Sequence, residues 1–219
     1  MVLTDGVHGP ALAPTEMFVL NAVLVSVCFV LLCKPSSNNK ANILLLSCLT
    51  LAAAASRVLL EPLPNIQPLT VMCLLMGASL GASRGMAFAV MATLLSNMVL
   101  SHGLWTLYQA SGWAFIAFIG SKIKIVEGQK LVMKNLVAVS ILTSILFDWW
   151  VSLSVYTYGM SLNEFALYIL NGIPFDLMHA LGSIVTAVCI APYLLNLLNA
   201  YPSTDNKELP VGEVNVIIS

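Results

Sequence analysis

Charge is what this sequence has least of. Of its 219 residues only 9% are Asp, Glu, Lys or Arg, against about a quarter in soluble domains. So few charges cannot coat a water-facing surface, which excludes an ordinary soluble domain. The nine Lys and Arg are scattered over short connections and form no basic face, so nucleic-acid binding is not expected. The common enzymatic signatures are missing as well: there is no G-x-x-x-x-G-K-[ST], no H-E-x-x-H and no G-x-S-x-G. Five cysteines (Cys28, Cys33, Cys48, Cys73 and Cys189) lie inside apolar runs without the paired spacing of a metal site or disulfide framework. They read as small core hydrophobes. Neither a metal nor a cofactor is expected, and the chain is not expected to be an enzyme.

What the sequence has in quantity is apolar length. Hydrophobic residues make up 59% and mean hydropathy is +0.92, the composition of an integral membrane protein. Runs long enough to be read as spans cover Thr15–Cys33, Ala41–Leu60, Pro68–Ala82, Met86–Ser101, Gln109–Ile123, Leu136–Tyr158 and Phe175–Leu198. The expected fold is an all-α polytopic membrane protein. No cationic segment precedes the first run, so a retained helix is expected there rather than a cleaved signal. The tail from Tyr201 is polar and reads as loosely attached.

If the spans alternate, Lys34, Lys40, Arg84, Lys122, Lys124, Lys130, Lys134 and Lys207 fall on one side. The positive-inside rule makes that side the cytoplasm, with the N-terminus outside and the C-terminus inside a cell membrane. Arg57 is the exception, near the outer end of the second span. The opposite connections, Glu61–Pro68, Ser101–Gln109 and Gly159–Asp176, contain no Lys or Arg and collect carboxylates, amides, histidines and aromatics.

Trp105, Tyr108, Gln109, Trp113, Trp149, Trp150, Tyr156 and Tyr158, with His102 and His179, are therefore candidates to line an outer recess offering stacking faces and donors. Singly, each aromatic is equally an interfacial anchor. Arg57 and Asp148 are the charges most clearly inside spans, and each needs a partner or water. A bridged pair on the recess floor and a purely structural contact are equally compatible with their depth. Asp176 and His179, three residues apart, fall on one helical face at the start of the last span, where the acid also reads as a first-turn residue. Small residues recur every fourth position at Cys48, Ala52 and Ser56 and at Gly77, Gly81 and Gly85. That spacing serves internal packing or docking of another membrane subunit.

The runs RVLLEPLPNIQPLTVMCLLMGASLGASRG, SNMVLSHGLWTLYQASGW and NGIPFDLMHALGS together resemble substrate-binding S components of energy-coupling factor transporters, particularly the cobalamin group. The likeness spans most of Ala41–Leu198. It implies a six-helix core over residues 41–198, one additional N-terminal transmembrane helix in residues 1–40, and a cytoplasmic tail over 199–219. The tryptophan-centred motif falls on Gly103, Trp105, Thr106 and Gln109, with Tyr108 where another tryptophan is expected, the outer turn on Glu61, Pro62, Pro64 and Asn65, and the last motif on Pro174, Phe175, Asp176 and His179. Leu104 and Leu107 stand where relatives carry proline. The resemblance implies capture of a vitamin-like solute, a cobalamin-type corrinoid being the first expectation, and partnership with a membrane coupling subunit and two cytoplasmic ATPases. The rival from the residues is an intramembrane enzyme acting on a lipid or peptide, with Asp148, His102 and His179 as acid-base groups.

Overall fold

The computed structural model describes residues 12–33, 40–157 and 159–200; Lys34, Lys207, Tyr158 and the polar tail from Tyr201 lie outside these. Among the described residues eight helices follow in order: α1 (Pro14–Leu32), α2 (Lys40–Leu59), α3 (Leu69–Leu80), α4 (Ala82–Leu100), α5 (Trp105–Gly120), α6 (Met133–Tyr156), α7 (Leu162–Cys189) and α8 (Ala191–Ala200). Between α5 and α6 the chain makes a small antiparallel hairpin of β1 (Val126–Glu127) and β2 (Lys130–Leu131), which turns at Gly128 with a positive φ of 61°. The sequence reading took that lysine-bearing stretch for a plain connection. The hairpin closes on buried Ile125 and Leu131, and Lys124 pairs with Glu127 at 2.6 Å.

The bundle is apolar outside and partly polar within. Phe18, Phe29, Leu44, Leu51, Leu142, Leu167, Leu177 and Val185 are exposed, whereas Thr70, Ser96, Asn97, Thr106, Ser144 and His179 are buried. That arrangement is the one a bilayer would select, because lipid tails accept apolar side chains while polar groups need partners from neighbouring helices. Helices α1, α4, α6 and α7 are long and apolar enough to cross a membrane. Helix α1 keeps few residues buried; Leu24 and Cys28 seat it on α4, where the Cys28 thiol donates to the Ala87 carbonyl at 3.4 Å.

The other spans depart from the sequence reading in instructive ways. Helix α3 has 12 residues, about 18 Å of rise, too short to cross a hydrocarbon core of about 30 Å. Every residue from Leu69 to Gly77 is buried, so α3 is the central post of the bundle. The stretch 159–176, expected as an outer connection, is instead mostly the first half of α7. Its Asn, Gly and Pro residues resemble loop punctuation. A capping box overrides them: the Ser161 hydroxyl accepts from the Glu164 N–H, and the Glu164 carboxylate accepts from the Ser161 N–H at 2.9 Å. Helix α7 then runs back along α6, with Tyr156 against Phe165 at 5.0 Å. The span read as Phe175–Leu198 breaks at Ile190, and α8 starts afresh with Pro192 in its first turn, where a missing N–H costs nothing.

The glycine stripe has a use inside the bundle. A Cβ on Gly77 would drive into the Ala117 carbonyl of α5, and one on Gly120 into the Leu74 carbonyl of α3, so α3 and α5 cross with their backbones in contact. Gly85 faces Gly77, where an added Cβ would sit 2.7 Å from the Gly77 Cα. This corrects the docking role expected of Gly77, which is buried. Gly81 joins α3 to α4 with a φ of 81°, open space around it and no packing partner.

Candidate functional site

The α2–α3 turn, the first half of α5, and the facing halves of α6 and α7 converge at the end of the bundle opposite the β hairpin. There they enclose a cavity of about 470 Å³. Its walls carry three carboxylates (Glu61, Asp148 and Asp176) with amides Asn65, Gln67, Gln109 and Asn171. Phe147, Phe175 and Tyr168 supply aromatic surface. Asn65 ties the α2–α3 turn to both neighbouring helices, its amide donating to Asp148 and to the Phe175 carbonyl, each at 3.0 Å. It does so from a left-handed backbone (φ 55°), a conformation asparagine tolerates better than most residues.

Beneath the cavity lies a continuous polar network. Both oxygens of Asp148 meet His179 Nδ1, at 2.9 and 3.0 Å, and His179 Nε2 lies 2.7 Å from the Thr70 hydroxyl. That hydroxyl also accepts from the Trp113 indole N–H at 3.1 Å. A proton on His179 Nδ1 lets the ring donate to Asp148. Trp113 stacks on Phe147 with ring centroids 4.2 Å apart and lies under the Arg57 guanidinium, 4.4 Å from its centroid. Arg57 in turn donates to Ser96, to Asn97 Oδ1 at 3.1 Å and to Gln109 Oε1 at 3.5 Å. Asn97 bridges onward to Thr106 and Gln109 at 3.0 and 2.9 Å.

Arg57 and Asp148 therefore form no ion pair. They are the two ends of one chain of contacts running through Trp113, Thr70 and His179. Arg57 is stabilised by neutral dipoles and the Trp113 ring face, and Asp148 by Asn65 and His179.

Of the thirteen residues expected to bind solute, Glu61, Asn65, Gln109, Asp148 and Asp176 border the cavity. Arg57, Trp113, Thr106 and His179 stand behind it as the network that fixes its floor. Trp105 is buried against Gly103, and His102 sits beside Thr106 with Nδ1 at 3.4 Å from its hydroxyl; neither borders the cavity. Tyr108 packs on Trp150 at 5.5 Å, on the flank that faces outward between α5 and α6. Trp149 reaches inward only through its N–H, which donates to Asp176 at 3.0 Å. The expected tryptophan-lined recess is thus a carboxylate- and amide-lined one. Asp176 is not a first-turn residue: it lies 14 residues beyond Leu162, about 21 Å along α7.

Several residues of the site carry no obvious flag in sequence. Thr70 is a single hydroxyl in an apolar helix. Ser96 and Asn97 sit in the last turns of α4, and only their polarity within an apolar run marks them. Tyr168 and Asn171 fell in the stretch taken for a loop. A helical reading of that stretch puts Tyr168, Asn171, Gly172, Phe175 and Asp176 on one face at three- and four-residue spacings.

On the α2 surface Cys48 and Ala52 are exposed and Ser56 is half-buried, its hydroxyl turned back to the Ala53 carbonyl. That strip is accessible, as Gly77 is not.

No curated protein and no solved structure matches this chain. One family of unknown function matches residues 37–203, well over half of the sequence. The match takes in the whole of the bundle from α2 to α8 and with it every residue of the cavity and its network, so the chain belongs to the DUF6580 family.

Proposed function

We propose that this protein is a multi-pass membrane subunit that captures a vitamin-sized solute from outside the cell, in the manner of an energy-coupling factor S component, and itself catalyses no reaction. The observation that carries the reading is the polar cavity of about 470 Å³ set into one end of an otherwise apolar bundle. It falls within the roughly 300–1,000 Å³ range of small-molecule sites. Arg84, Lys122, Lys124, Lys130 and Lys134 gather at the other end, which the positive-inside rule assigns to the cytoplasm, so the cavity opens outward. The volume suits a solute of one or two rings better than a whole corrinoid, and the tryptophans expected to stack on a corrinoid are engaged elsewhere. Native mass spectrometry of the purified full chain is expected to find a small molecule bound. A chain that carries none, and whose melting shifts with no member of a vitamin panel, removes the reading.

The energy for release belongs to partner chains, a membrane coupling subunit and two ATPases. The exposed small residues on α2 offer a surface for close helix approach. Ala52→Leu is expected to abolish uptake in cells that supply such partners while leaving solute affinity of the isolated protein within about twofold, since Ala52 borders neither the cavity nor its network. Uptake measured beside binding checks this. Joint loss of both activities assigns Ala52 to internal packing.

One observation favours the enzymatic alternative: Asp148, His179 and Thr70 have the connectivity of an acid, a base and a hydroxyl nucleophile. Access argues against it. Thr70 and His179 are both fully buried, neither borders the cavity, and the Thr70 oxygen already accepts from Trp113.

A further inference from the structure

Three carboxylates line the cavity, and the one cationisable side chain paired with any of them among the described residues is His179, on Asp148. Asp176 is only 9% exposed and receives a single hydrogen bond, from Trp149 to Oδ2, while Oδ1 has no donor among the described residues. No lysine or arginine borders the cavity or pairs with Glu61, Asp148 or Asp176 among the described residues. Arg57 does not border the cavity and makes no ion pair with its carboxylates; its two terminal nitrogens bond Ser96, Asn97 and Gln109, and its face lies on Trp113. His179 bonds Asp148 and Thr70 and makes no hydrogen bond to Asp176. A carboxylate held at this depth in an apolar bundle requires a counter-charge or a proton.

A second observation comes from the opposite wall. Gln109 is 8% exposed, and its carbonyl oxygen is fixed by Asn97 and Arg57, which settles the orientation of the amide. Its side-chain nitrogen therefore points away from them, with no acceptor among the described residues, and Gln109 is part of the cavity wall. An amide donor in the cavity wall with no protein acceptor is a place for an acceptor on a ligand.

We propose that the captured solute is an organic cation that also carries a hydrogen-bond acceptor. Its positive group lies against Asp176, within the field of Asp148 and Glu61, and its acceptor meets the Gln109 amide. Phe147, Phe175 and Tyr168 offer ring faces to the apolar body between. The inference rests on the capture reading and adds the substrate class.

Three probes of one ring skeleton isolate the charge: 1-methylnicotinamide, a fixed cation with a carboxamide acceptor; nicotinamide, its neutral counterpart; and nicotinate, an anion. Dissociation constants from ligand-observed NMR on the detergent-solubilised full chain are expected to favour the cation over nicotinamide by at least about tenfold, with nicotinate weaker still. Asp176→Asn is expected to erase the preference. Glu61→Gln, at the exposed rim where folding is not at stake, should weaken the cation alone by about threefold. Equal or tighter binding of nicotinamide or nicotinate, a preference that survives Asp176→Asn, or no binding of any probe overturns the proposal. Mass spectrometry separates its failure from that of the capture reading. A neutral or anionic solute co-purifying with the chain removes the cation and leaves the capture site, whereas an empty chain removes both.

Discussion

His179→Ala is expected to destabilise the protein by about 3 to 5 kcal/mol. The imidazole is fully buried and is the single link between Asp148 on α6 and Thr70 on α3. Removing it leaves the Asp148 carboxylate with only the Asn65 amide, the Thr70 hydroxyl without an acceptor, and a void beside the Phe147 ring that meets His179 edge-on at 5.7 Å. Asp148→Asn is the informative comparison. It keeps one oxygen to accept from His179 Nδ1 and should cost only about 1 kcal/mol. Melting temperatures of the two variants in detergent, compared with the unaltered chain, test the pair. A His179→Ala protein that melts with the parent shows that the network does not hold α3, α6 and α7 together.

Gly77→Ala is expected to cost about 3 kcal/mol or more, although it adds one methyl group to a helix interior where alanine is normally favourable. The methyl has nowhere to go. It would collide with the Ala117 carbonyl, a backbone atom that cannot rotate away, and its relief would require α3 and α5 to separate along their whole crossing. Because Gly85 abuts Gly77 from α4, three helices would shift together. Gly81→Ala makes a useful contrast, since the space around Gly81 is open and only its backbone (φ 81°, ψ 166°) resists the change, a penalty of about 1 to 3 kcal/mol without a collision. Folded yield and unfolding in detergent read both. Equal tolerance at the two positions would mean that α3 and α5 do not cross in backbone contact.

These two residues also mark the limits of what was legible beforehand. The four-residue spacing of Gly77, Gly81 and Gly85 was visible, but spacing says only that helices can approach closely, and not whether the approaching helix belongs to this chain or another. His179 was visible as a polar residue in an apolar run, and its pairing with Asp148 across 31 positions was not. The stretch 161–176 was read as a connection for its polar and aromatic content, and the capping box at Ser161 and Glu164 starts a helix there. Once α6 is there to pack against, the helix forms through those residues and places Asp176 in its middle.

Composition and apolar run length determined by themselves that this chain is helical, that its outer surface is apolar, and that its basic residues collect away from the polar and aromatic connections. Those are properties of single segments, set by transfer of side chains and backbone groups between water and lipid, and each can be read from one stretch at a time. Tertiary structure alone decided that α3 is a buried post too short to span, that Arg57 and Asp148 are joined through Trp113, Thr70 and His179 in place of a direct pair, and that carboxylates and amides, not tryptophans, wall the cavity. The reason is geometric: a polar group inside an apolar bundle must find its partner on another helix, and which helix arrives opposite it depends on the packing of all of them together.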